Sequence, residues 1–343
     1  MLQTRCARFV GAVAVVTLFS SGDYVHAQDP GVPNSQPNPY QQPIEEPLAL
    51  PEGREMGWVM GVEVDRTGNV WILDTCGGGF QDCVGSTEPL VLKFDASGSF
   101  VSSFGGGMVV HPHGLYIDDD GYVWVLDGFG GNAEQTDQGH QVHKFTPEGE
   151  LVMSLGTAGV RGDGPTTFNT PSDVLVAPNG DIFVADGHGG DDMNDRIARF
   201  TSDGTFAATW GTKGSGPGQF GSTHSLAMDS QGRLFVGDRG NNRIQIFDQD
   251  GTFLDEWRQF GSPSELFVDE DDVLYVADST SNESNNPGYD RGIRIGSARD
   301  GTVTSFVPDP EPAGAQELVV TAPDGAMYTG YTLGRSVKKY VKK

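Results

Sequence analysis

A chain of 343 residues, 49 of them glycine, with a formal net charge of −25, has room for one large domain or two ordinary ones and must contain many turns. So acidic a surface repels phosphate backbones, which argues against nucleic-acid binding. It suits solubility, cation binding or a basic partner, and a merely solvated acidic surface is the plainer reading.

In chain order, Arg5 and Arg8 precede an apolar run from Phe9 to Phe19, and Val25-His26-Ala27 closes it with small residues at the offsets of a cleavage site. This reads as a signal peptide over 1–27, with a run too short to span a bilayer. No later segment is long and apolar enough for a membrane helix, so the expected mature protein is secreted or periplasmic. Cys6 leaves with the leader. Cys76 and Cys83 remain in one Gly-rich loop, where an oxidising compartment favours a mutual disulfide. A metal site built on them would need further ligands that nothing nearby supplies. Residues 28–46, rich in Pro, Gln and Asn, read as a disordered or extended leader.

From Gly57 a pattern repeats six times, and the folded domain is set at 47–343. Each copy has an apolar run, a turn of Asp-x-x-Gly type, a second apolar run ending in Asp, a polar loop and a third run. Examples are HGLYIDDDGYVWVLD (His113 to Asp127) and HSLAMDSQGRLFVGD (His224 to Asp238). Runs of four to six residues rich in Val, Ile, Leu and Phe, broken by Gly, Asn and Asp, are antiparallel strands joined by tight turns. The turn residues Gly68, Gly121, Gly180, Gly232, Asp272 and Gly325 lie 40 to 59 residues apart. That period, with four strands per unit, predicts an all-β, six-bladed β-propeller with four-stranded antiparallel blades, expected to be monomeric. The sixth copy stops after its third strand, and Leu48 to Leu50 is the unassigned run that would complete it and close the ring.

The pattern PxGLxxDxxGxxxVxDxxNxRIxxF resembles the NHL repeat. His113-Gly114-Leu115, Pro171-Ser172-Asp173-Val174, Ala185-Asp186-Gly187, His224-Ser225-Leu226 and Asp238-Arg239 fall in the order of peptidyl-α-hydroxyglycine α-amidating lyases. The likeness is strong in copies two to four and loose in the others. It implies a zinc ion held by three histidines, of which His113 and His224 match two and Gln316 stands at the third. Adjacent Glu317 could supply an oxygen instead, or hold the structural Ca²⁺ carried by that family. His188 falls where the family has a tyrosine base, and Arg239 matches an arginine that faces substrate. The family's other arginine falls at Thr75 and is absent.

The residues themselves carry part of this reading. In a propeller, inner strands start at the mouth of the central channel, which places Met60 or Gly61, His113, Ser172, His224, Ser264 and Gln316 in one ring. Thr75, Gly128, His188, Arg239, Ser279 and Tyr331 form a second ring just after the second strands. Neutral imidazoles converging on one axis suit Zn²⁺, although two channel histidines bonded to water would look the same in sequence. His188 can act as a base near neutral pH, as a third metal ligand, or as an exposed loop residue. The guanidinium of Arg239 suits a carboxylate or alkoxide, while an arginine at this place could also pair with a neighbouring blade. Asp74, Asp127, Asp186, Asp238 and Asp278 recur too regularly to be catalytic and are expected to brace turns. Two functions remain open: a lyase-type enzyme acting on a small-molecule or peptide substrate, and a non-catalytic scaffold binding a protein, peptide or glycan at the propeller rim.

Overall fold

The computed structural model describes residues 34–79, 83–128, 137–190 and 192–343. The proposed signal peptide lies outside the described residues. Among them no helix is long and apolar enough to cross a membrane, and helix is confined to two short 3₁₀ turns.

Six antiparallel sheets follow one another along the chain. Blade one is Val59–Val64, Val70–Asp74, Val91–Phe94 and Phe100–Phe104; blade two is Pro112–Ile117, Val123–Asp127, Gln141–Phe145 and Leu151–Leu155. Blade three is Pro171–Val176, Ile182–Asp186, Arg196–Phe200 and Phe206–Trp210; blade four is Thr223–Met228, Leu234–Asp238, Arg243–Phe247 and Phe253–Trp257. Blade five is Pro263–Val268, Val273–Asp278, Gly292–Ser297 and Val303–Pro308, and blade six has Gln316–Thr321, Met327–Tyr331 and Ser336–Tyr340.

Local chemistry sets each hairpin. In blade one, Asp65 Oδ1 accepts the backbone N–H groups of Thr67 and Asn69, and Gly68 takes a φ of 86° that a side chain would resist. Blade five keeps the same turn with Asp272 at φ 61°. The second strand of every blade is buried along nearly its whole length because it is covered on both faces, whereas fourth strands such as Phe100–Phe104 are mostly exposed. Apolar side chains gather in six clusters, one at each blade–blade interface. Each fully buried Val, Leu, Ile or Phe contributes about 1.5–3 kcal/mol relative to exposure, so the interfaces are what a lone blade lacks.

The N-terminal segment does close the ring, but through different residues from those expected. Ile44 exchanges backbone hydrogen bonds with Lys339 at 2.8 and 3.1 Å, and Tyr40 bridges Lys342, both along the outer edge of blade six. The Pro- and Gln-rich leader lies along the propeller from Asn34 onward, where the Asn34 side chain also meets Arg294. Leu48 and Leu50 pack on the interface between blades one and six, and Ala49 forms a parallel bridge with Ser99 of blade one. Tyr40 explains the choice: it is 1% exposed, stacked edge-on against Tyr340, and its burial holds that edge in place. Cys76 and Cys83 form a disulfide.

Candidate functional site

Inner strands carry an irregularity near their first residues. The register skips between Pro112 and Leu115, between Thr223 and Ser225, between Pro263 and Glu265, and between Gln316 and Leu318. Pro112, Thr223, Pro263 and Gln316 each pair with the last residue of the second strand, respectively Asp127, Asp238, Asp278 and Tyr331. The residue that follows is turned out of the ladder, which is how a bulge re-aims a side chain. His113, His224, Ser264 and Glu317 share this position.

This moves the ring in blade six by one residue. Gln316 is in the ladder, fully buried, with its amide 3.4 Å from the Tyr340 hydroxyl. Glu317 holds the place equivalent to His113 and His224. The sequence contained the signal: counting eight back from the turn residue gives His113 from Gly121, His224 from Gly232 and Glu317 from Gly325. The second ring shifts likewise. Tyr331 occupies the position of the strand-ending aspartates, and Thr332 is the residue whose backbone N–H reaches back to Ala315, as Arg239 reaches Ser222 and Gly128 reaches His111. In blade three that place is Gly187; His188 is one residue further on, with its N–H 3.2 Å from the Thr170 carbonyl.

Three imidazoles nevertheless meet. The ring centroids of His113 and His188 are 4.4 Å apart, those of His188 and His224 4.8 Å, and those of His113 and His224 5.3 Å. One nitrogen from each lies within 4.8 Å of the others. His113 Nδ1 is 2.9 Å from the Ser172 carbonyl, and His224 Nδ1 is 2.6 Å from the Ser264 carbonyl, each in the next blade. A carbonyl can only accept, so each Nδ1 carries the proton and each Nε2 keeps its lone pair. Nε2 of His224 is buried without a hydrogen-bond partner. This is the second-partner arrangement that orients metal-ligating histidines, and an orphaned Nε2 is what a bound ion would satisfy.

His188 is differently engaged. Arg239 Nη2 donates to its Nε2 at 2.7 Å, so that nitrogen is the acceptor and the ring is neutral. Arg239 Nη1 lies 3.9 Å from Glu317, whose carboxylate also accepts weak bonds from the Ser279 hydroxyl at 3.4 Å and the Thr332 hydroxyl at 3.2 Å. Burial lowers the pKa of all three imidazoles, most strongly for His188 and His224, and neighbouring imidazoles and Arg239 add to the effect. Burial also lowers that of Arg239, with Glu317 opposing it. His111, beside His113, falls to about 3 for the same reason. The site therefore presents neutral nitrogen ligands at ordinary pH. Zn²⁺ fits such a donor set. Ca²⁺ takes six to eight oxygens and would find one carboxylate here, already facing a guanidinium, so no role for it is derived.

The strand-ending aspartates support the site from below. Their carboxylates accept the backbone N–H of the segment leading into the inner strand: Gly57 for Asp74, His111 for Asp127, Asn169 for Asp186, Gly221 for Asp238 and Ser262 for Asp278. At the other end of the channel is a cavity of about 660 Å³, whose lining includes Glu63, Tyr116, Asp173, Glu265 and Phe267. Burial and mutual repulsion raise the pKa of Glu63 and Glu265, and burial brings Asp173 to about 7. The sequence reading missed this carboxylate group, because only Asp173 and Glu265 share a register position, seven residues before the turn residue, and Glu63 lies two positions further along its strand.

Known proteins bear on this geometry. Residues 220–247 match the model of the NHL repeat. The human NHL repeat-containing protein 3 is 36% identical over 163 residues, covering 46% of this chain and 44% of its own length. A probable peptidyl-alpha-hydroxyglycine alpha-amidating lyase of Caenorhabditis elegans is 32% identical over 203 residues, 54% of each chain. The chain thus spans about half the length of these curated relatives. Among solved structures, a gluconolactonase from Xanthomonas campestris superimposes with a TM-score of 0.59 at 13% identity, over 90% of this chain and 100% of that one. A virginiamycin B lyase from Staphylococcus aureus gives 0.55 at 16% identity, over 88% and 85%. At such identities they speak for the fold alone. The chain is a six-bladed β-propeller that carries an NHL repeat at residues 220–247 and is similar, over about half its length, to a probable peptidyl-α-hydroxyglycine α-amidating lyase.

Proposed function

We propose that this is an exported, lyase-type enzyme that cleaves N-acyl carbinolamides at the mouth of the propeller channel. The single observation behind it is the pair of Nε2 lone pairs, on His113 and His224, fixed toward one point by carbonyls of the neighbouring blades. These two histidines would hold the metal. A bound Zn²⁺ would supply Lewis acidity toward the carbinol oxygen. His188 Nε2, a neutral acceptor, takes the hydroxyl proton, and Arg239, its present donor, turns to the carbonyl formed as the C–N bond breaks. The departing nitrogen takes a proton, so the products are an amide and an aldehyde, with no water consumed. Gln316, assigned to the metal from sequence, has no part in this scheme, and Glu317 is placed beside Arg239.

A second reading follows from the nitrogens lying within 4.8 Å: His188 is a third ligand rather than the base. Metal content and turnover separate the two. His188→Ala with full metal and no aldehyde release supports the base; loss of metal supports the ligand. A His113→Ala, His224→Ala double variant that keeps stoichiometric metal removes both. No metal and no turnover in the wild type leaves the alternative of a scaffold whose rim binds a protein, peptide or glycan.

A further inference from the structure

We propose that Glu317 sets the substrate class: by occupying Arg239 it makes the mouth select carbinolamides whose carbinol carbon bears a neutral group and reject those bearing a carboxylate. The inference rests on the lyase reading above.

A carboxylate is recognised by a guanidinium free to offer two parallel N–H donors. Among the described residues around the imidazoles, Arg239 carries the positive charge, and neither arm of its fork is free. Nη2 is bonded to His188 at 2.7 Å, and Nη1 faces Glu317 at 3.9 Å. The hydroxyls of Ser279 and Thr332 flank the Glu317 carboxylate at 3.4 and 3.2 Å and keep it beside Arg239. A substrate carboxylate reaching for Arg239 would meet a like charge in a half-buried setting, where such repulsion is weakly screened.

Among the described residues no second cation stands beside the imidazoles. Thr75, at the place where an amidating-lyase arginine would fall, accepts the Trp58 N–H at 2.9 Å and donates to the Gly78 carbonyl at 2.7 Å. It is neutral, short and fully committed to its loop. At the other end of the channel Glu63, Asp173 and Glu265 are acidic, and the cations of that cavity are engaged elsewhere, Arg66 with Asp119 at 2.6 Å and Lys93 over the Trp71 ring at 4.5 Å. A neutral amide, ester or alkyl group suffers none of these penalties.

The test uses two ligands that lack the hydroxyl and so cannot be cleaved, N-benzoylglycine and N-benzoylglycinamide, with calorimetric binding to metal-loaded full-length protein. The wild type should bind the amide at least about tenfold more tightly. Glu317→Gln should lose that preference or reverse it, and Glu317→Asp, which keeps the charge, should retain it. Tighter binding of N-benzoylglycine by the wild type, an unchanged preference in Glu317→Gln, or no binding of either ligand at millimolar concentration overturns the proposal. Turnover of N-benzoyl-α-hydroxyglycinamide is followed separately by aldehyde release. Selective binding without release refutes the lyase chemistry and leaves the selectivity standing; release with no preference between the two ligands does the reverse.

Discussion

Blades two and four carry a histidine at the same ring position, yet they brace it in opposite ways. In blade four the fully buried Asp238 meets Arg243 Nε at 2.8 Å, together with the side-chain amide of Asn241 and the Gly221 N–H. In blade two the residue in register with Arg243 is Gln141, and Asp127 accepts N–H groups from Val110 and His111 with no cation reaching it among the described residues. Burial then pushes Asp127 up to about 7. One position can thus be satisfied by a charge pair or by a carboxyl that gives up its charge. The two solutions differ in their response to pH and to mutation.

Removing either imidazole should have the largest effect and should not distinguish the blades. His113→Ala and His224→Ala should each cost more metal affinity than the roughly 10–100-fold typical of losing a second partner, read by elemental analysis and competition with a chelator. A variant that keeps full affinity would take its blade out of the site.

The next effect belongs to blade four alone. Arg243→Met leaves Asp238 buried without its cation and should cost about 3–5 kcal/mol in urea unfolding, whereas Gln141→Met in blade two should cost far less. Equal losses would erase the contrast.

The third concerns pH. The folded pKa of Asp127 lies above its unfolded value near 3.8, so its contribution to stability is complete below about pH 4 and is lost as pH rises through about 7. Asp127→Asn should flatten the stability curve between those limits and leave the protein at pH 8 no less stable than the wild type. A loss of stability at pH 8 would show that Asp127 is charged and needed.

The smallest effect should come from Gln141→Arg, which gives blade two the partner of blade four. It should add about 0.5–2 kcal/mol at pH 8 and almost nothing at pH 4, where Asp127 is protonated.

Much of this site could be read from sequence, for reasons visible in individual residues. His113 and His224 stand out because the turn glycines number each repeat, and the recurrent aspartates are structural braces as their repetition suggested. The repeat pattern puts Gln316 at the ring position, with Glu317 only as its neighbour, because a bulge adds a residue without changing local composition, so a pattern aligned on hydrophobic runs slips by one. His188 reaches the other imidazoles although Gly187 takes the ring position, a result of loop path rather than strand period. The closing segment differs from the expectation for a related reason: Leu48 to Leu50 is the more apolar stretch, but Tyr40 and Ile44 have the edge of blade six beside them.

The amino-acid order alone determined the repeat, its turns and the propeller they build, because strand period and turn chemistry are local. It also singled out two histidines and an arginine. Only the tertiary structure decided that Arg239 spans from His188 to Glu317, that the tautomers of His113 and His224 are set by carbonyls of the next blades, and that Asp127 has, among the described residues, no cation such as its counterparts have. The first two facts depend on which groups meet across blades some 40 residues or more apart, and no periodicity within one blade encodes that meeting.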